Sequence, residues 1–384
     1  MRLTIVLLFF VSFSFSQTND SQIAYQFYQS GEYEKAIDIY KDISKGNNSN
    51  SYYYPHFQSL LGIENYKDAK KLVLRMSKKN THSLIYLVDL YFVESKLEDK
   101  KSISKTLKKI EDEIKKKQSQ LVSICNSFIK YSFYQEALNL YLIAEKAIPS
   151  NNRDYNIQKA QLYQYMDKDE WMVDEYLSLL EKNPTQKINV INYLQRYLEN
   201  NGIENEENYI LVKNGLLKYS QKEKDTYIFS EILIWLFMQN NDFNLAYLQA
   251  KSLDKRLRED GERLYDLAET FLDNSYFDLA IKCYQYIIEK GDDNYYYIDA
   301  HVNMLYALGK KEGANLIKID ELYQKIVEEV GLDYTAVLLI YNYAHFKAFS
   351  LNDLPSAQIM LEEAMNMSNI SKTDLAECKL VYAD

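Results

Sequence analysis

A chain of 384 residues has the length of two or three compact domains, yet it carries only 10 glycines and 4 prolines, too few helix breakers for sheet turns or long linkers, and it reads as nearly all helix. Its formal net charge of -10 argues against a nucleic-acid surface as its main purpose. Its 3 cysteines, Cys125, Cys283 and Cys378, are too few and too widely spaced for a disulfide framework or a zinc site.

Residues 1–16 stand apart from the rest. Arg2 supplies a positive start, residues 3–11 with Phe13 and Phe15 an apolar stretch, and Ser14-Phe15-Ser16 the tail ahead of Gln17. This layout predicts a secretory signal whose removal leaves a chain beginning at or near Gln17. The apolar run is too short for a bilayer core of about 30 Å. No cysteine precedes Cys125, so a lipid anchor has no attachment point, and the expected product is exported and soluble. An uncleaved N-terminal membrane anchor is the alternative.

From residue 20 onward one pattern returns. Gly31-Glu32-Tyr33-Glu34-Lys35-Ala36, with Tyr40 four residues later, has variants at 66–73, 134–141, 243–250 and 277–284. Aligned on the small residue, the series is Ala36, Ala69, Ala137, Met172, Ala246, Ala280, Ala314 and Ala357. A unit of about 34 residues, skipped twice and stretched once, explains the steps, and that period marks a helix-turn-helix repeat. The small residue allows the second helix to cross close to the first, and an aromatic one turn later fills the groove beside it. The aromatic ahead of it (Tyr33, Tyr66, Tyr134, Phe243, Phe277) is expected to cap the turn and pack under the next unit. No such unit buries its own apolar face, so the units must stack.

These residues resemble the tetratricopeptide repeat (TPR) family. Gly31, Tyr33, Ala36 and Tyr40 are similar to the family's Gly-x-Tyr-x-x-Ala-x-x-x-Tyr/Phe core, Ala24, Cys125, Ala160 and Ala268 to its first-helix small residue, and Pro149 and Pro184 to its closing proline. The likeness covers most of residues 20–384, with clear units near 20–49, 118–150, 227–260 and 261–293 and divergent ones near 84–117, 188–225 and 298–335. In the divergent stretches Ile103 stands at the small position and Lys318 at the aromatic one, and irregular helical hairpins are the alternative there. The resemblance implies an all-α fold, a right-handed superhelical solenoid of stacked hairpins, and an exported bacterial member of the family. It also implies a concave wall built from one face of each first helix, where a protein or peptide is held by an array of side chains.

Counting back from the aligned small residue places Tyr25, Tyr28 and Gln29 on that wall in the first unit and Asn126, Ile129 and Lys130 in the fourth. The two adjacent clear units contribute Trp235, Met238 and Gln239, then Glu269, Leu272 and Asp273, and the last contributes Phe346, Phe349 and Ser350. Aromatic anchors among amides and charges suit a peptide groove; packing of Trp235 and Phe349 on neighbouring helices is the competing reading. With 36 tyrosines in the chain, most must be structural, but Tyr52-Tyr53-Tyr54 and Tyr295-Tyr296-Tyr297 each have to turn part of the triplet outward.

No reaction centre is legible. His56, His82, His301 and His345 form no metal-ligand pair on one helix face, and the segment from Gly309 to Gly313 lacks the residues of a phosphate loop and reads as an interhelix turn. The lysine-rich stretch 96–117 contains no aromatic side chain for base stacking and is read as a solvated helix face. No cofactor, metal or catalytic residue is expected. At the far end, Ser371-Lys372-Thr373-Asp374 looks like a helix cap, and residues 375–384 begin a first helix with no second one after it. The sequence therefore reads as part of a longer protein or as an array closed by its last helix. The function expected is a non-catalytic exported scaffold in the periplasm or cell envelope of a Gram-negative bacterium, holding a protein partner. The alternatives are a docking or sensory region of a longer chain, and glycan handling in the envelope.

Overall fold

The computed structural model describes residues 20–46, 52–116, 118–147, 155–199, 206–222, 227–331 and 334–383. The expected signal, residues 1–16, and Pro149 lie outside them. The described residues are helical and contain no strand. The chain divides into two compact units, one ending at Leu179 and one beginning at Leu180.

In the first unit α1 (20–29) is followed by α2 (Tyr33–Gly46), α3 (Tyr53–Gly62) by α4 (Tyr66–Lys79), and α5 (Ile85–Lys96) by α6 (Lys100–Lys116). Then come α7 (Leu121–Lys130) with α8 (Tyr134–Ala147) and α9 (Asn156–Tyr165) with α10 (Asp169–Lys182). First helices pack on first helices and second on second, as in α5 on α7 and α6 on α8. The second unit repeats the plan with α11 (Lys187–Glu199), α12 (Glu206–Ser220), α13 (Ile228–Gln239), α14 (Phe243–Leu257), α15 (Glu262–Asp273) and α16 (Phe277–Ile288). It continues through α17 (Tyr297–Lys310), α18 (Leu316–Val330), α19 (Val337–Ser350), α20 (Leu354–Met365) and α21 (Lys372–Ala383). Here α14 packs on α16, α17 on α19 and α19 on α21.

The turn inside each hairpin shows why the helices pair so regularly. Five residues before the aligned small residue the backbone is left-handed, at Gly31, Glu64, Glu98, Ser132, Asp167, Asn241, Ser275 and Asn352. The next residue then donates its N–H back five residues, from Glu32 to Phe27, Asn65 to Leu60, Asp99 to Glu94, Phe133 to Phe128, Lys168 to Tyr163, Asp242 to Phe237 and Tyr276 to Phe271. That bond satisfies a terminal carbonyl of the first helix and fixes the direction in which the second departs. Gly31 is the residue type such a position favours most, with Asn241, Asn352 and Asp167 next; the glutamates and serines are not favoured there.

Packing follows the turn. Ala36, Ala69, Ala137, Met172, Ala246 and Ala280 are fully buried at the crossings, as are Ala24, Cys125, Ala160 and Ala268 on the first helices. The approach is close enough for the Cys125 thiol to reach the Ala137 carbonyl at 3.6 Å. One turn on, Tyr40, Tyr141 and Tyr284 are among the largest fully buried side chains. The turn aromatics pack on the next hairpin: a Cβ at Gly62 would lie 2.4 Å from the Tyr33 ring. Likewise Tyr134 stacks on Tyr165 at 5.1 Å, and Phe243 meets Phe271 and Tyr276.

The register differs from the sequence alignment in α18. Ala314 lies in the turn ahead of the helix, where Asn315 caps the Lys318 N–H. Buried Ile319 and Tyr323 occupy the small and aromatic places, five residues later than Ala314 and Lys318 suggest. The cause is a longer connection through Gly313, which is itself left-handed. The three cysteines are buried thiols, and burial pushes Cys125 and Cys283 up to about 12, which leaves little reactive thiolate.

Candidate functional site

The residues expected on the inner wall lie apart. In the first unit Tyr25 and Tyr28 are on α1, and Asn126 and Lys130 are on α7, which packs on α5. Helix α5 is apolar on nearly every side but carries two buried acids, Glu94 near its end and Asp89 at its middle. The Asp89 carboxylate accepts the hydroxyls of Tyr53 and Tyr131, both at 2.6 Å. Burial raises the Asp89 pKa despite those bonds, and burial with the adjacent carboxylate raises both tyrosines. Beside this buried knot the wall is open. Lys130 sits 4.7 Å from the centroid of the exposed Tyr54 ring and 5.3 Å from that of Tyr131. Asn126 is exposed one turn earlier on the same face of α7 as Lys130.

Tyr25 and Tyr28 are neighbours on α1, with ring centroids 5.9 Å apart, and Tyr28 continues to Tyr33 at 6.4 Å. Tyr25 also borders a cavity of about 590 Å³ between α1, α2 and the start of α3.

In the second unit Trp235 is half-buried and lines a cavity of about 890 Å³. The opposite wall is supplied by Gln195 and Leu198 from α11 and by Tyr209, Ile210 and Lys213 from α12. The Tyr209 hydroxyl donates to Asp242, Asn240 donates to the same carboxylate at 3.0 Å, and the Tyr209 bond leads in holding the Asp242 pKa down. Lys213 lies over the Tyr209 ring at 4.9 Å. An indole beside aliphatic and aromatic walls with charges at the margin can take one large side chain of a partner and leave its backbone outside.

The expected wall is not one continuous site. Trp235 looks toward the preceding hairpin, α11 and α12, while Glu269 accepts the Tyr284 hydroxyl and, at 3.1 Å, the Asn303 amide of α17, the helix that follows. Met238 is half-buried and Asp273 exposed near the ends of α13 and α15. Phe349 is 51% exposed and packs on His345 at 4.5 Å, so it is a surface residue of α19 and not core. At the other ends of the first helices, Glu231 of α13 pairs with Lys187 of α11 and Arg263 of α15, which ties three successive first helices together.

The repeat phase singled out Trp235 but not Tyr209, Ile210 and Lys213, which line the same cavity, because α12 lacks the signature residues that would have set its phase. Asp89 was visible as a lone acid in the run from Ile85 to Val93. Among the described residues no helix is long and apolar enough to cross a membrane, and no cluster of His, Cys, Asp or Glu could hold a metal ion.

The fold and its buried signature define a class: an all-α array of tetratricopeptide-type hairpins. The chain is a TPR-like protein, similar over 305 residues, at 26% identity, to a TPR repeat-containing protein of Methanocaldococcus jannaschii. That alignment takes in 74% of this chain and 46% of the relative, so the chain spans less than half of the relative's length. No family profile matches the chain. Among solved structures it is similar to yeast Tom70, at 14% identity and a TM-score of 0.30 over 96% of both chains. It is also similar to the P58(IPK) TPR domain, at 10% identity and a TM-score of 0.23 over 96% of this chain and 98% of that one. Superpositions this loose carry no argument about how the hairpins are arranged.

Proposed function

We propose that the protein is a non-catalytic, exported scaffold that holds a polypeptide partner on its first-helix surfaces and helps to assemble a complex in the bacterial cell envelope. The repeat fold supports the coarse part of this reading, because hairpin arrays present extended surfaces and build no enclosed reaction centre. The observation that carries the specific part is the Trp235 cavity. Hot spots of protein interfaces are enriched in tryptophan, tyrosine and arginine set in pockets that exclude water, and Trp235 faces Tyr209 and Ile210 across a space the size of a large side chain or more. Export rests on the layout of residues 1–16 alone, and intact-mass measurement of protein recovered from its native host tests it: a mature species still containing residues 3–15 contradicts cleavage.

The binding reading is tested by selecting a random peptide library on the full chain and titrating the enriched peptides against Ile210→Lys. Ile210 is 40% exposed, so the fold should tolerate the change while a charge enters the cavity wall. The expected loss of affinity is at least about tenfold, roughly 1.4 kcal/mol. Peptides that bind the variant as tightly as the parent would place the interaction elsewhere.

A further inference from the structure

We infer that the outer face of α4 and α6, two second helices of the first unit, is a docking surface for an anionic lipid bilayer. It lies on other elements than the proposed polypeptide site and does not depend on it.

The first observation is the distribution of charge. Helix α4 carries six cationic residues against Asp68, and α6 seven against Glu111, Asp112 and Glu113, a surplus of nine in a chain whose net charge is -10. The neighbouring second helices do not share it: α2 holds three acids and three lysines, and α8 two acids and one lysine.

The two helices adjoin and turn their charges the same way. Lys70 of α4 pairs with Glu94 at 3.2 Å and with Asp99 at 3.1 Å, and Thr106 of α6 donates to the same Glu94 at 2.8 Å. Ala69, Leu72, Val73 and Met76 of α4 pack in one cluster with Leu90 and Val93 of α5, while α6 buries Thr106, Ile110 and Ile114 and packs on α5 as well. The helical period therefore points Lys67, Lys71 and Lys78 of α4 and Lys101, Lys105 and Lys108 of α6 away from α5, and all six are exposed. Lys71 is paired with Asp68 at 2.9 Å; the other five form no ion pair among the described residues. Farther along α6, Lys115 and Lys116 are paired with Asp112 and Glu113. On the α2 side the face ends at Asp38 and Asp42, which border a cavity with Arg75.

The second observation is Leu74, 37% exposed, which completes the stripe of Lys67, Lys71 and Lys78 at the place Lys108 takes in α6. An apolar side chain among lysines on a helix surface suits the boundary between headgroups and acyl chains. Lysine, a flexible point charge, matches a diffuse anionic plane, whereas arginine is the residue whose planar fork fixes a single phosphate. A nucleic acid fits less well, since α6 offers no ring for a base to stack on.

Co-sedimentation of the full chain with mixed phosphatidylglycerol–phosphatidylcholine vesicles, and with pure phosphatidylcholine vesicles as the reference, tests the proposal. The chain should bind the anionic vesicles far more tightly than the neutral ones, and salt of about 0.5 M should remove the difference. Lys101→Gln, Lys105→Gln and Lys108→Gln combined should weaken binding to the anionic vesicles about a hundredfold, at roughly fivefold for each charge removed. The thermal midpoint should not fall, since the three side chains are exposed. Lys282→Gln, Lys310→Gln and Lys318→Gln combined, at exposed positions of the other unit, change the net charge equally and should leave binding as in the parent. Equal affinity for the two kinds of vesicle overturns the proposal, as does an α6 variant that binds no more weakly than this control. Binding of duplex DNA or poly-L-glutamate that depends on Lys101, Lys105 and Lys108, without preference for anionic vesicles, also overturns it and assigns the face to that polyanion.

Discussion

Hairpins α15–α16 and α17–α18 are consecutive and do the same structural work with different residues. The first crosses at Ala280 with Tyr284 beside it, and a short turn through left-handed Ser275 joins its helices. The second crosses at Ile319 with Tyr323 beside it, behind a longer turn through Gly313. In this second hairpin Tyr323 stacks on Tyr343 of α19 at 4.6 Å and 3°. The contrast teaches that what repeats along this chain is a buried residue followed one turn later by a buried ring, set by the turn geometry. Alanine is one solution to the crossing and not its definition.

The largest effect that would break this comparison is at Ile319. If it holds the crossing, Ile319→Ala should cost about 2–5 kcal/mol in chemical denaturation, while Ala314→Ser, in the turn, should stay within about 0.5 kcal/mol. Equal effects would restore Ala314 to the repeat phase and remove the register shift. In the first hairpin Ala280→Leu should cost about 1–3 kcal/mol by overpacking; a thermal midpoint as high as the parent's would mean that the crossing at Ala280 has room to spare.

A pH effect separates the hairpins further. His301, on α17, is buried against Tyr297 with neither ring nitrogen hydrogen-bonded, and burial lowers its pKa to about 4. An unfolded histidine titrates near about 6.5, so between those values the unfolded chain binds the extra proton. The stability associated with neutral His301 is therefore complete above the unfolded pKa and is lost as pH falls through the window toward about 4. His301→Phe removes both unpaired nitrogens and should gain stability over the parent at pH 5 relative to pH 8, read from paired denaturation curves. A difference that does not change with pH would mean the imidazole is hydrated. His56, also lowered to about 4 by burial, adds to the acid sensitivity of the other unit.

The smallest effects lie in the turns. Ser275→Gly should stabilise by roughly 0.5 kcal/mol, because glycine takes φ 63 without strain but gains freedom when unfolded. Gly313→Ala should lose about 1 kcal/mol for backbone reasons alone, since a Cβ there meets nothing within 4 Å. The same sign for both would mean that the two turns are not built alike.

The sequence showed the hairpins and most crossings because a small residue at a crossing leaves a visible period. It concealed several turns: Glu64, Glu98 and Ser132 adopt the left-handed conformation with no residue-type signal, since the pull of the flanking helices outweighs a local preference. Ile319 escaped for a related reason, an insertion ahead of it having shifted the phase. Of the residues expected on the inner wall, Trp235 and Lys130 are chosen by their offset to the aligned alanines. Their partners cannot be, since Tyr209 belongs to the preceding hairpin and Tyr54 to the second hairpin before that of Lys130, and only the stacking brings them near.

The central claim is that Trp235 forms part of a binding surface and is not a core residue. Measuring thermal midpoint and peptide affinity together on Trp235→Ala tests it most directly. The account predicts a loss of roughly 2 kcal/mol in affinity, about thirtyfold, with helicity and midpoint close to the parent's. A variant that melts far below the parent while its folded fraction binds with unaltered affinity would make the indole packing and contradict the account.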